Sequence, residues 1–220
     1  MKNVIHIFGA SGSGTTTLGK KICDELGYTH MDTDDYFWLQ TEPKYTYKRP
    51  KSERVELMKN EINKSDNVVI SGSLTDWGDE LIPYFTLAIR IEMKQSVRIG
   101  RLVQREKERY GLRIEPDGDL YKHHIEFVEW AKSYDNGGLD IRSKAMHDEL
   151  EKSFPCKILY LDGEDDLEDK FKKVLKALDI NYLTKFKFIV EMKYIKLKFL
   201  DKTKSFFFCF KMGMAFFASC

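Results

Sequence analysis

Long uncharged apolar runs are missing from this 220-residue chain. A membrane-spanning helix needs about 20 such residues, so the sequence offers no support for one. An excess of charge of one sign is missing as well: 36 Lys and Arg stand against 35 Asp and Glu, a net +1. Nothing global therefore points to nucleic acid or to an acidic surface as a partner. Cysteine is sparse. Cys23, Cys156, Cys209 and Cys220 form neither a CxxC pair nor a disulfide framework, and reduced thiols in a cytoplasmic protein are the expectation. The N-terminus runs straight into a strand-like segment, with no basic region, apolar stretch and cleavage site, which argues against a secretory signal.

What is present alternates between two periods. Asn3-Val-Ile-His-Ile-Phe8 is short, β-branched and apolar, as a strand buried on both faces must be. A glycine-rich turn follows, and then Leu18, Ile22 and Leu26 recur along one helical face until Gly27. Strand-like segments return at residues 28–33, 67–70, 87–91 and 156–161. Between them, a helix capped by Ser52 is expected to carry Val55, Met58 and Ile62 inward. A charged helix over residues 96–110 has Val97, Leu102 and Val103 as apolar anchors. A last helix opens on an Asp165/Glu168 capping box, with Leu167, Phe171, Val174, Leu175 and Leu178 on one face. This alternation predicts an α/β fold in three layers, a five-stranded parallel sheet covered on both faces. Residues 111–155 are too long for a plain crossover, and helical patterns at 119–134 and 143–150 mark them as a helical lid on a domain of residues 1–181.

The turn after the first strand reads Gly9-Ala-Ser11-Gly12-Ser13-Gly14-Thr15-Thr16-Thr17. It fits the phosphate-binding pattern G-x-x-x-x-G-K-[ST] at both glycines and at the final hydroxyl, but Thr15 stands where lysine is usual. Glycines let successive backbone N–H groups turn toward phosphate oxygens, and the helix that follows points its positive end at the same place. Thr16 occupies the position whose hydroxyl joins a Mg²⁺ shell, and Thr17 can donate to a phosphate. The alternative is a Gly/Ser turn that binds nothing; its place between a strand and an amphipathic helix favours phosphate. Lys20, five residues after Thr15, projects to another side of the helix and is a poor replacement for the missing charge.

Three carboxylates follow the second strand in Met31-Asp32-Thr33-Asp34-Asp35-Tyr36-Phe37-Trp38. Strand carboxyl ends are where doubly wound sheets bind ligands. A phosphoryl acceptor needs one carboxylate to orient it and take its proton, and a metal needs another. Tyr36, Phe37 and Trp38 can wall a pocket, or can merely pack. Strand three ends in Ser71-Gly72-Ser73, where small residues let a substrate approach, although an ordinary tight loop explains Gly72 equally well. Arg98, Arg101, Arg105 and Arg109 form one helical stripe suited to clamping phosphate, or to a solvated face paired with Glu106 and Glu108.

Loop, acidic cluster and arginine helix together resemble the P-loop metabolite and nucleoside monophosphate kinases, with shikimate, gluconate, uridine and adenylate kinases as examples. The resemblance covers about residues 1–178 and identifies a superfamily rather than a substrate. It implies ATP and Mg²⁺ as cofactors and a small-molecule phosphoryl acceptor as partner. Asp32-Thr-Asp34 is similar to the acidic pair of shikimate kinases, implying a metal-linked Asp32 and an acceptor-binding Asp34. Asp34-Asp35-Tyr36-Phe is similar to the acceptor stretch of uridine kinases, implying contacts from Asp35 and Tyr36. The two disagree on the base, and Asp34 is favoured. Arg101 and Arg105 are expected on the transferring phosphate, with Arg142 a further candidate on the lid's return and Gly72 beside the acceptor. His123 and His124 read as packing or surface residues. After strand five, Asp162-Gly163 falls where such kinases pass backbone around adenine, or is simply a turn before the Asp165 cap. The alternative function is a nucleotide-binding regulatory protein with little turnover, which Thr15 makes credible.

Residues 182–220 break with everything before them. They hold eight Lys and no Arg against Glu191 and Asp201, for +6, which leaves −5 on residues 1–181. Nine of the fifteen Phe residues are there too. Adsorption to anionic membrane, a strand pair on the sheet edge, and an extension without selected structure are the three readings. The last is favoured.

Overall fold

Short β-branched segments form the centre of the computed structural model, which describes residues 2–42 and 44–180. Five strands pair in parallel: β1 (Val4–Gly9), β2 (Thr29–Asp32), β3 (Val68–Ser71), β4 (Leu87–Glu92) and β5 (Ile158–Asp162), in the order β2-β3-β1-β4-β5. Every residue of β1 and of β3 is buried, as expected of strands covered on both faces. Their register sets out the rest of the molecule. Asp32 lies opposite Ser71, and Gly9 opposite Ile91, so the carboxyl ends of β2, β3, β1 and β4 open along one edge. The fold is the three-layer α/β type that the alternation predicts.

Among the described residues seven α-helices accompany the sheet: α1 (Thr15–Leu26), α2 (Thr33–Phe37), α3 (Lys51–Lys64), α4 (Gln95–Tyr110), α5 (Tyr121–Lys132), α6 (Lys144–Leu150) and α7 (Leu167–Ala177). Val55, Met58 and Ile62 of α3 are at most 4% exposed and join Met31, Ile70 and Trp77 in one cluster. Burial of such side chains is worth about 1.5–3 kcal/mol each, which holds α3 in place despite its weak N-terminus. That terminus corrects the sequence reading. The helix starts at Lys51 behind Pro50, with no side-chain cap, and Ser52 lies inside its first turn. The capping box at α7 is also displaced by one residue. Asp166, not Asp165, accepts the Glu168 N–H at 2.8 Å, while Asp165 pairs with Lys173. On α4, Leu102 is fully buried but Val103 is exposed; the inward face is completed by Arg98 and Glu106.

The chain divides into a compact unit, Met1–Val174, and a second stretch, Leu175–Cys220, of which only residues 175–180 are described. The three readings of residues 182–220 fall outside the described residues. Among those described, no helix is long and apolar enough to cross a membrane.

Candidate active site

A cleft of about 1060 Å³ opens at the carboxyl ends of β1, β2 and β3. Ser11, Gly12, Thr15, Thr16 and Thr17 form one wall. The loop is tied by Ser13 N–H to the Ala10 carbonyl at 3.1 Å, and Gly14 sits at the N-cap of α1. Ser13 is buried, and its Oγ has no hydrogen-bond partner in the described structure. Gly12 has φ +84°, and a Cβ there would stand 2.6 Å from the Arg98 carbonyl oxygen, so α4 presses against the loop too closely for any side chain. Gly9 lies beneath, against the Ile91 carbonyl at the end of β4.

Asp32 joins this wall to the next. Its Oδ2 accepts from Thr16 Oγ1 at 3.0 Å, and its Oδ1 accepts the Asp34 N–H at 3.1 Å, capping α2. Among the described residues no group of three His, Cys, Asp or Glu forms a metal cage. A hydroxyl beside one carboxylate is nonetheless a suitable donor set for Mg²⁺, which keeps its waters and takes only one or two protein oxygens plus substrate phosphates. Thr16 and Asp32 are the residues that would hold it.

Asp34 reaches solvent through the mouth of the cleft, yet protein surrounds it on most sides. That partial desolvation, with the charge of Asp32 added, raises its pKa above the ordinary carboxylate value; Arg142 and Arg105 pull in the other direction. Asp35 also lines the cleft. Tyr36 does not: its ring packs on the core cluster and its carbonyl accepts from Arg49 Nε at 3.0 Å. Phe37 and Trp38 do face the cleft, as does Trp77, whose ring meets that of Phe37 edge-on with centroids 6.0 Å apart. Gly72, at φ +113°, closes the floor.

The arginine stripe of α4 does not act as one surface. Arg98 is fully buried, paired with Asp135 and donating to the Ala131 carbonyl at 2.5 Å. Arg101 is outside the cleft lining, its Nη1 3.5 Å from the Gly163 carbonyl on the loop after β5. Arg105 and Arg109 line the cleft. Arg113 pairs with Asp119 instead. Lys20 reaches the cleft wall, against expectation; His123 is an exposed residue at the cleft's edge and His124 is buried, as the sequence suggested.

Arg54 escaped the sequence reading, and so did the side-chain partners of Ser73. Arg54 of α3 lies with its guanidinium 3.8 Å over the Phe37 ring, its Nε donates to the Arg49 carbonyl at 2.6 Å, and it enters the cleft with no ion pair among the described residues. Ser73 and Thr75, after β3, share a 2.8 Å hydrogen bond on the cleft wall. Ser73 Oγ is 3.2 Å from His147 Nε2, and His147 Nδ1 is 2.8 Å from the Tyr134 hydroxyl. Burial holds His147 neutral, its pKa well below the usual histidine value. The spacing of these residues, 74 positions between Ser73 and His147, left no local signal.

No family model matches the chain. It is 38% identical to YqaC, an uncharacterized protein of Bacillus subtilis, over 181 residues covering 82% of this chain and 100% of that one. Cytidylate kinase from Pyrococcus horikoshii is 34% identical over 115 residues, 48% of this chain and 58% of that enzyme, so the match spans little more than half of its length. Cytidylate kinase from Archaeoglobus fulgidus is 25% identical over 187 residues, 80% of this chain and 94% of that enzyme. With a phosphate loop at the end of β1 and the acidic pair beside it, the chain belongs to the P-loop small-molecule and nucleoside monophosphate kinase superfamily, and within it to the family of YqaC.

Proposed function

We propose that the protein is an ATP-dependent phosphotransferase that moves the γ-phosphoryl group to a small acceptor bearing a hydroxyl or phosphate and a second, anionic group. One observation carries the reading. The Thr16–Asp32 hydrogen bond, at 3.0 Å, sets the loop directly beside Asp34, and Arg105 and Arg142 act on that same carboxylate. Loop amides and Thr17 would hold the ATP phosphates. Mg²⁺ on Thr16 and Asp32 would neutralise charge between them.

For a hydroxyl acceptor, its oxygen attacks the γ-phosphorus, the bond to the β-phosphate oxygen breaks, and ADP leaves with that electron pair. The acceptor proton passes to the Asp34 carboxylate, whose raised pKa brings it closer to the proton it must take. Arg105 reaches the transferring phosphate from α4. Arg101, beside Gly163, is better placed for the base of the nucleotide than for the reacting phosphate. Phe37, Trp38 and Trp77 would wall the acceptor, and Arg54 would take its anionic group as a fork against paired oxygens. Gly72, Ser73 and Thr75 would line its hydroxyl edge, and Asp35 the rim.

ATP consumption against nucleoside monophosphates, CMP among them because of the cytidylate kinases above, and against hydroxy acids tests this. Turnover stimulated by one acceptor is expected, with Asp34→Asn lowering it about 10²- to 10⁴-fold while nucleotide binding persists. Tight nucleotide binding without stimulated turnover by any acceptor would favour the second reading, a regulatory nucleotide-binding protein, for which Thr15 is the supporting observation.

A further inference from the structure

Thr15 contributes a neutral hydroxyl where a loop of this kind carries its one fixed positive charge, and the cleft contains a cation that touches the loop itself. Arg142 Nη2 donates to the carbonyl of Gly9, the first loop residue, at 3.1 Å. Its guanidinium lies 5.6 Å over the Trp130 ring of α5. The next residue anchors it: Ser143 is fully buried, donates to the Gly138 carbonyl at 2.7 Å, and caps α6 by accepting the Met146 N–H at 3.0 Å. The position of Arg142 is thus set by the α6 N-terminus on one side and an indole on the other.

Of the other buried arginines near the site, Arg54 packs on the Phe37 ring without an ion pair among the described residues, and the remaining two have carboxylate partners. Arg90 is held by Asp148 and Glu151, and Arg98 by Asp135. Arg142 has no ion pair among the described residues, and its Nε is buried without a hydrogen-bond partner. A cation kept in a protein cleft without a counter-ion is costly unless an anion arrives there. Asp34 attracts it across the cleft but does not bond it. The alternative sources are less well placed. Arg105 is about half exposed, with only a 3.9 Å approach to Glu106. Arg54 lies on the far wall against Phe37, and Arg101 faces Gly163.

We infer that Arg142 supplies to the ATP β- and γ-phosphates the positive charge that Thr15 does not. The inference rests on the phosphotransferase reading and adds a source of charge outside the loop. A guanidinium can keep the Gly9 carbonyl on one nitrogen while offering its others to phosphate oxygens, which an ammonium on a loop lysine does as a point charge. The charge then belongs to the segment between α5 and α6 and reaches the phosphates only when that segment is docked on the loop.

Calorimetric titration of ATP and ADP, with Mg²⁺ and no acceptor, tests this without requiring turnover. Arg142→Gln is expected to weaken ATP about ten- to a hundred-fold and ADP less, as the loss of charge-assisted hydrogen bonds to the terminal phosphate does. Adding Thr15→Lys to Arg142→Gln is expected to recover at least tenfold of the lost ATP affinity. A merely structural role for Arg142 would not be rescued by a lysine on α1. Unchanged ATP affinity in Arg142→Gln overturns the assignment, and so does a loss that Thr15→Lys does not reverse. Rescue of Arg105→Gln but not of Arg142→Gln by Thr15→Lys would move the charge to α4 and also overturn it. These outcomes leave the kinase reading standing; wild-type protein that binds neither nucleotide overturns both.

Discussion

Replacing Gly72 by alanine isolates what the floor of the cleft demands. The residue has φ +113°, a region nearly closed to side chains, and a Cβ built there lies 1.9 Å from Thr33 Oγ1 and 3.1 Å from Thr33 Cβ. Neither partner has room to move. Thr33 is 3% exposed at the start of α2, and Gly72 is fixed by its N–H on the Ile7 carbonyl at 2.9 Å and its carbonyl on His6 Nε2 at 3.0 Å. The strained backbone costs about 1–3 kcal/mol, and overpacking a further 1–3 kcal/mol or so. Against a total stability of about 5–15 kcal/mol, a loss of roughly 2–6 removes a large share of it and lowers Tm by roughly 4–24 °C. Urea unfolding of wild type, Gly72→Ala, Thr33→Ala and the double variant separates the two terms. Removing the Thr33 hydroxyl should recover the overpacking share and none of the backbone share, a coupling of about 1–3 kcal/mol. A Gly72→Ala cost below about 1 kcal/mol, or a cycle with no coupling, would refute the steric account.

Two further outcomes follow from the same geometry. Thr16→Val keeps the shape of the side chain but removes the donor to Asp32 Oδ2. The Mg²⁺ concentration needed for half-maximal ATP binding should rise about ten- to a hundred-fold, and an unchanged Mg²⁺ titration would remove Thr16 from the metal site. His6 is fully buried and its pKa is lowered to about 4, because burial disfavours its charged form more than its bond to the Gly72 carbonyl favours it. Its stabilising contribution is complete above the ordinary histidine value of 6.5 and is lost as pH falls from there through about 4. That amounts to about 3 kcal/mol at about 1.4 kcal/mol per pH unit. Denaturant titrations between pH 7 and pH 4 should therefore fall more steeply for wild type than for His6→Phe, and parallel losses would show that acid acts elsewhere.

The phosphate loop was legible because its signal is local: glycine spacing, a strand before it and a helix after it. Asp32 and Asp34 were legible for the same reason, standing within a few residues of a strand end. The face of α4 was misread because azimuth alone does not decide an environment. Arg98 and Arg105, seven residues apart, point in nearly the same direction but are separated by about 10 Å along the axis. At the lower level the guanidinium meets the Ala131 carbonyl and Asp135; at the upper level the cleft is open. Tyr36 was misread because a five-residue helix turns its ring onto the core and off the cleft lining, whereas Asp35 lines the cleft and Phe37 both packs on that core and reaches the cleft. Arg54 and the Ser73–His147–Tyr134 chain were hidden by distance in sequence, and Arg142, named as a candidate, gave no sign of its contact with the loop. Arg142 stands 133 positions from the Gly9 carbonyl it binds, and no periodicity spans that separation.

Asp32 divides its two oxygens between Thr16 and the Asp34 N–H. A single planar group thus fixes the distance between the loop side of the cleft and the Asp34 side, which in the proposed reaction receive donor and acceptor. Rotating that plane would shift both halves together, so the two cannot be tuned separately through this residue. Altered acceptor preference is therefore best sought on the aromatic wall of Phe37, Trp38 and Trp77, with Asp32 kept as the fixed hinge pin around which a new pocket is drawn.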